Sequence, residues 1–179
     1  MKKVMLLFLS LFSCFAYAQT VSYLDFKVEN QEIIYQKVFS QDSITAASLE
    51  EYYKTLLYVS NLTSSADGVE FEVNDLTVDF KKFQFKPIDT PPIIQTGKYS
   101  GKVSVGVKGG KYRVTFQSIM VTGDMGYKKI PSREELTNYS CKNNGTVISQ
   151  DWCRPNMLGL LNKALTDKLQ FVGKKKGEW

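Results

Sequence analysis

Two stretches of strict apolar/polar alternation, each folded back on a turn sequence, constrain this chain more than anything else in it. In the first, Gly109-Gly110 reads as a two-residue turn. That turn sets Val107 against Tyr112, Val105 against Val114 and Val103 against Phe116. The polar partners Gly106/Arg113, Ser104/Thr115 and Lys102/Gln117 then share the opposite face. Side chains alternate across a strand, so a register that sorts both strands this cleanly describes an antiparallel hairpin with one buried face. The second stretch reads the same way around Asn74-Asp75, with Val73 against Leu76, Phe71 against Val78 and Val69 against Phe80.

After Phe80 the alternation slips by one residue at Lys81-Lys82 and resumes at Phe83 and Phe85, which reads as a bulge or bend. Pro87 and Pro91-Pro92 make residues 86–96 an extended connection between the hairpins. Upstream, Leu24, Phe26 and Val28 alternate, Glu29-Asn30-Gln31 turns, and residues 33–39 form a β-branched, aromatic-rich strand. Leu49, Tyr52, Leu56 and Val59 recur at helical spacing, with a start at Ser43, Thr45 or Ser48. Residues 60–68 are polar and end that helix. Pro155 opens a final helix whose stripe is Leu158, Leu161, Leu165, Leu169 and Val172, stopped by Gly173. The element order is a leading strand, then strand, helix, four strands and helix. It predicts an α+β domain: one curved antiparallel sheet of about five to six strands packed against two helices.

Between Thr122 and Cys153 the periodicity dissolves, leaving a long connection in which Ser132 and Glu135 can start one helical turn. Cys141 and Cys153 lie in this segment and are expected to pair as a disulfide closing the Asn143-Asn144-Gly145 turn. Tyr127, Tyr139 and Trp152 give the same segment three large aromatics, read either as binding anchors or as a small satellite core.

Residues 1–18 read as an export signal: Lys2-Lys3, an apolar run from Val4 to Phe12, then Ala16-Tyr17-Ala18 as the cleavage site, giving Gln19 as the new first residue. The alternative is that Cys14, after Leu11-Phe12-Ser13, is lipidated. Either way the protein is expected in the periplasm or outside the cell. Residues 19–173 form the domain, 174–179 a basic tail carrying Lys174-Lys175-Lys176, and no span crosses the membrane in the mature chain. The net charge is only +5 and loses two lysines with the signal, which together with export argues against nucleic acid as a partner.

The chain has no histidine, which excludes Ser-His-Asp and Cys-His nucleophile systems and the usual zinc-hydrolase ligand sets. Carboxylates remain. Glu134-Glu135, Asp124 and Asp151 motivate an envelope polysaccharide hydrolase as an alternative function. Asp67, Glu70, Glu72, Asn74 and Asp75 do not match the spacing of a calcium loop, so no metal or other cofactor is expected. Asn61-Leu62-Thr63, Asn138-Tyr139-Ser140 and Asn144-Gly145-Thr146 match the N-glycan sequon and are read as incidental.

Gly110-Lys111-Tyr112-Arg113-Val114 after a hairpin turn, and Ile34-Tyr35-Gln36-Lys37-Val38-Phe39 before an amphipathic helix, resemble a family of exported bacterial proteins of unknown function with a TATA-binding-protein-like fold. The resemblance covers about residues 32–121. It implies a β-α-β4-α order and export, and it brings no catalytic residues and no DNA binding with it. The functional expectation is a non-enzymatic exported domain that binds a protein, peptide or glycan partner in the cell envelope through residues 122–153. A structural subunit of an envelope assembly is a further alternative.

Overall fold

The Gly109-Gly110 turn joins the two longest strands of the protein, β6 (Lys98–Lys108) and β7 (Lys111–Asp124). Their register is the one the alternation predicts, with Val107 opposite Tyr112, Val105 opposite Val114 and Val103 opposite Phe116. The computed structural model describes residues 21–173. The export signal, Cys14 and the basic tail lie outside the described residues. Ahead of β6 come β1 (Ser22–Tyr23), β2 (Phe26–Glu29), β3 (Glu32–Ser40), α1 (Ala46–Tyr53), β4 (Val59–Ser65) and β5 (Gly68–Leu76). A 3-10 turn (Pro87–Asp89) and α2 (Pro92–Thr96) lead into β6. After β7 follow β8 (Lys129–Glu135), α3 (Thr137–Ser140), β9 (Cys141–Lys142), β10 (Val147–Ile148) and α4 (Leu158–Leu169).

The expected architecture is corrected here. Five to six strands against two helices in a TATA-binding-protein-like β-α-β4-α order is not what forms. The chain makes one eight-stranded antiparallel sheet, a small two-stranded sheet of β9 and β10, and four short helices. The path is β1-β2-β3-β7-β6-β5-β4, and β8 pairs with β7 off that path. The additional strands come from segments without apolar alternation. β4 is Val-Ser-Asn-Leu-Thr-Ser-Ser, polar because it is an edge strand whose pairing is backbone-driven. β8 is charged and contains Pro131, which an edge strand tolerates because one of its sides needs no donor.

The hairpin expected at Asn74-Asp75 is also corrected. β5 runs straight through these residues, with Val73 opposite Gly101 and Leu76 opposite Tyr99 on β6. Asp75 takes φ 50° as a bulge and donates its N–H to Ser100 Oγ. Val69 and Phe71 therefore face Val105 and Val103, not Phe80 and Val78. Residues 86–96 are not extended throughout: Pro92 starts α2 and buries Ile93 and Ile94. Thr45 caps α1 through a reciprocal box with Ser48, and the helix ends before Val59, which opens β4.

β7 holds the sheet together. β3 pairs along its first half, from Lys111 to Phe116, and β8 along its second, from Met120 to Asp124. The change of partner falls at Ser118, which adopts φ 50° and donates its N–H to the Glu32 carboxylate. Across the sheet, a Cβ on Gly101 would lie 2.6 Å from the Ser118 carbonyl oxygen, so only glycine fits beside this bulge. The extra residue resets the phase, and Phe116, Ile119 and Val121 are all buried.

The apolar face formed by Tyr35, Phe39, Val69, Phe71, Val73, Val103, Val105, Tyr112, Val114 and Phe116 belongs to one core with Leu158, Leu161, Leu165 and Leu169 of α4. Val172 extends the predicted stripe in sequence but is exposed, because the helix has ended at Leu169. Polar contacts set the position of α4. Asn162 donates to Asp25 Oδ2 at 3.0 Å and accepts from the Asp25 N–H at 3.1 Å. Lys37 Nζ reaches Asp25 Oδ2 at 2.7 Å, and Thr166 shares a hydrogen bond with the Tyr35 hydroxyl. The loop after β5 reaches α4 as well, with Lys82 paired to Asp167 and Lys163 over the Phe85 ring.

The end of α4 is fastened by tyrosines. Tyr58, Tyr53 and Tyr52 donate to the carbonyl oxygens of Lys168 (2.6 Å), Leu169 (2.6 Å) and Gln170 (3.0 Å), and the Phe171 N–H donates to Tyr112 (2.8 Å). The last carbonyls of a helix have no partner within it, and side-chain hydroxyls supply them here. Burial pushes Tyr35, Tyr53, Tyr58 and Tyr99 far above the ordinary phenol range, so all four stay protonated in the folded state.

Candidate functional site

Residues 122–153 do not form the irregular surface expected of them. β7, β8, α3, β9 and β10 absorb most of the segment. Trp152 is 4 % exposed and belongs to the core, whereas Tyr127 is 81 % exposed. Tyr139 is half-buried. Its hydroxyl donates to Glu134 Oε2, and Lys128 Nζ sits 3.3 Å from that hydroxyl and 5.5 Å from the ring centroid. The bond to the Glu134 carboxylate raises the Tyr139 pKa, because it favours the protonated phenol.

The adjacent candidate acids Glu134 and Glu135 do not share a face. Glu134 and Glu135 are consecutive on β8, opposite Val121 and Met120, so they point to opposite faces of the strand. Asp124 accepts from the Gly126 N–H and Asp151 pairs with Arg154. Among the described residues no group of three acidic or sulfur side chains is placed to hold a metal ion.

Cys141 and Cys153 are free thiols in the structure, in place of the expected disulfide. The segment nonetheless folds so as to bring their stretches of backbone together. Ile148 pairs with Cys141, the Ser149 N–H donates to the Ser140 carbonyl, and the Cys153 N–H donates back to the Ser149 carbonyl. Burial raises both thiol pKa values, and the neighbouring Cys141 raises that of Cys153 further.

The outer face of the sheet has the opposite character from the core. Glu70, Lys102, Lys108, Lys111, Arg113 and Gln117 are exposed there, and Gln36, Glu72, Ser104 and Thr115 are half-buried. Three recesses lie along it. One of about 260 Å³ is bordered by Asn61, Glu70, Lys102, Ser104 and Gln117. A second of about 240 Å³ shares Glu72 and Lys102 with the first and reaches Ser118 and Arg133. The third and largest, about 760 Å³, lies at the turn end between Val38, Asp67, Gly106, Val107, Lys108, Lys111 and Arg113. Sequence reasoning placed Lys102, Ser104, Gly106, Arg113 and Gln117 on the polar side of a hairpin and Val107 on its apolar side, and did not join them into a site. The signal that marks them is two lysines placed opposite each other across the turn, Lys108 and Lys111.

No protein-family profile and no curated protein matches the chain. Among solved structures it is similar to a DUF4468 family protein from Bacteroides ovatus ATCC 8483, at 12 % identity and a TM-score of 0.43, over 81 % of this chain and 84 % of that one. Among the described residues no helix is long and apolar enough to cross a membrane.

Proposed function

We propose that the protein is an exported, non-catalytic binding domain of the bacterial cell envelope, and that it docks a protein, peptide or glycan partner on the outer face of its sheet. The observation that carries this reading is the division of the sheet. One face lies in a core with α4 and α1, while the other stays polar, exposed and recessed at three neighbouring places. Loops and open faces positioned by a rigid scaffold are where binding groups concentrate. The opposite facing of Glu134 and Glu135 and the lack of histidine favour this reading over hydrolysis.

The test is cross-linking capture from envelope extracts with the wild-type domain and with Gln117→Arg, which places a bulky cation in the middle of the outer face. Loss of partners from a variant that keeps its melting temperature is expected. An unchanged partner set overturns the reading. Export itself predicts a mature protein beginning at Gln19, read by N-terminal sequencing, with lipidation of Cys14 as the competing result.

In an oxidising compartment Cys141 and Cys153 then pair. Closing so short a loop contributes about 3 kcal/mol in the chain-entropy model. Alkylation with and without prior reduction, followed by mass measurement, distinguishes the bridged protein from the dithiol.

A further inference from the structure

The recess at the turn end of the outer face carries a charge arrangement that folding alone does not favour. Lys108 and Lys111 are direct cross-strand partners, and Arg113 lies two residues further along the same face, opposite Gly106. Like charges set directly opposite each other on a sheet are destabilising. Among the described residues none of the three is held in an ion pair; the salt bridges of this protein engage other cations. The lining contains a single acid, Asp67.

Beside these cations the surface turns apolar. Val38, opposite Arg113 on β3 and on the same face, is 57 % exposed. Gly106 has open space where a Cβ would stand, so a strip of bare backbone lies next to the guanidinium.

We propose that this recess takes an acidic peptide segment of a partner protein, with its carboxylates on Lys108, Lys111 and Arg113 and an apolar side chain against Val38. The inference rests on the outer face being the binding surface. Charge complementarity selects an anionic occupant, and the arginine fork suits a carboxylate. The recess, about 760 Å³, is open to solvent, and an extended peptide can lie along it. Its apolar contacts are aliphatic, and its one aromatic, Tyr112, is 2 % exposed, so no ring face is offered for a sugar to stack on. Peptide side chains match such a lining.

The experiment uses the mature protein and two synthetic peptides, one alternating glutamate and valine and one alternating lysine and valine, followed by fluorescence anisotropy at low and moderate salt. The glutamate peptide is expected to bind, to weaken with salt, and to lose tenfold or more in affinity to the double variant Lys111→Glu/Arg113→Glu. Lys142→Glu, an exposed charge reversal on β9 away from this face, is expected to bind the peptide as the wild type does. Circular dichroism melts of all variants confirm that they are folded. Equal binding of both peptides, or binding unaffected by the charge reversal, overturns the proposal. So does sedimentation with phosphatidylglycerol vesicles that the glutamate peptide does not compete away, which assigns the patch to lipid. Capture from extracts separates the two levels of the argument. If Gln117→Arg abolishes partner capture and the double charge reversal does not, the outer face is the binding surface and the acidic-peptide recess is refuted. If neither affects capture, both fail.

Discussion

Across the same pair of strands, Val105 faces Val114 on one side of the sheet and Ser104 faces Thr115 on the other. The first pair is buried in the core that includes α4, whereas the second is half-buried on the opposite, polar face. The backbone is common to both, so the difference lies in what each side is answerable to. Inner positions are constrained by volume and by hydrogen bonds that α4 cannot make for itself. Outer positions escape both constraints, which is why cations can accumulate at one end.

The contrast breaks most visibly in the core. Leu161→Ala, beneath the centre of α4, is expected to cost about 2–5 kcal/mol in urea unfolding, through lost burial plus a residual cavity. Tyr53→Phe comes next. It leaves the buried Leu169 carbonyl without its donor and is expected to cost about 1–3 kcal/mol.

The same tyrosines set an alkaline limit. Their pKa values are raised in the folded state, so above about pH 10 the unfolded chain releases phenolic protons that the native state still holds. Stability is therefore intact below that pH and falls as pH rises further. Melting temperatures measured from pH 8 upward should show a decline that Tyr53→Phe makes shallower. The smallest effect belongs to the outer face: Thr115→Ala is expected to stay within about 0.5 kcal/mol of wild type. A large loss there would mean that this face too supports the fold.

What could be read from the sequence follows the same division. The β6–β7 hairpin was legible to the residue, because apolar and polar positions alternate on both strands and a Gly-Gly turn fixes the register. The leucine stripe of α4 was legible for the same reason, up to the point where Gln170 leaves the helix. β4 was not legible, since an edge strand with Ser60, Asn61, Thr63, Ser64 and Ser65 has no buried face to declare itself. Asn74-Asp75 misled because a bulge and a turn favour the same residues: both need a positive φ that Asp tolerates. Val78 and Phe80 then continued the alternation by coincidence, and the structure uses them in the loop that follows β5. Of the candidate site, the aromatics of residues 122–153 were visible but divided, with Trp152 going to the core and Tyr127 to solvent. The basic recess was invisible as a site because it joins Val38 to the β6–β7 turn, and nothing in local spacing brings β3 to β7.

The position of β3 also governs how the molecule assembles. β6 and β7 are neighbours along the chain and can close quickly, but Gln36 must find Thr115 at a sequence separation of 79. Pairings of that span are entropically late and slow the rate of folding. Until β3 arrives, the first half of β7 presents a naked row of amides and carbonyls to its surroundings, and a second newly made chain can claim it. Refolding at high concentration should therefore yield swapped or aggregated species unless that early vacancy is filled first.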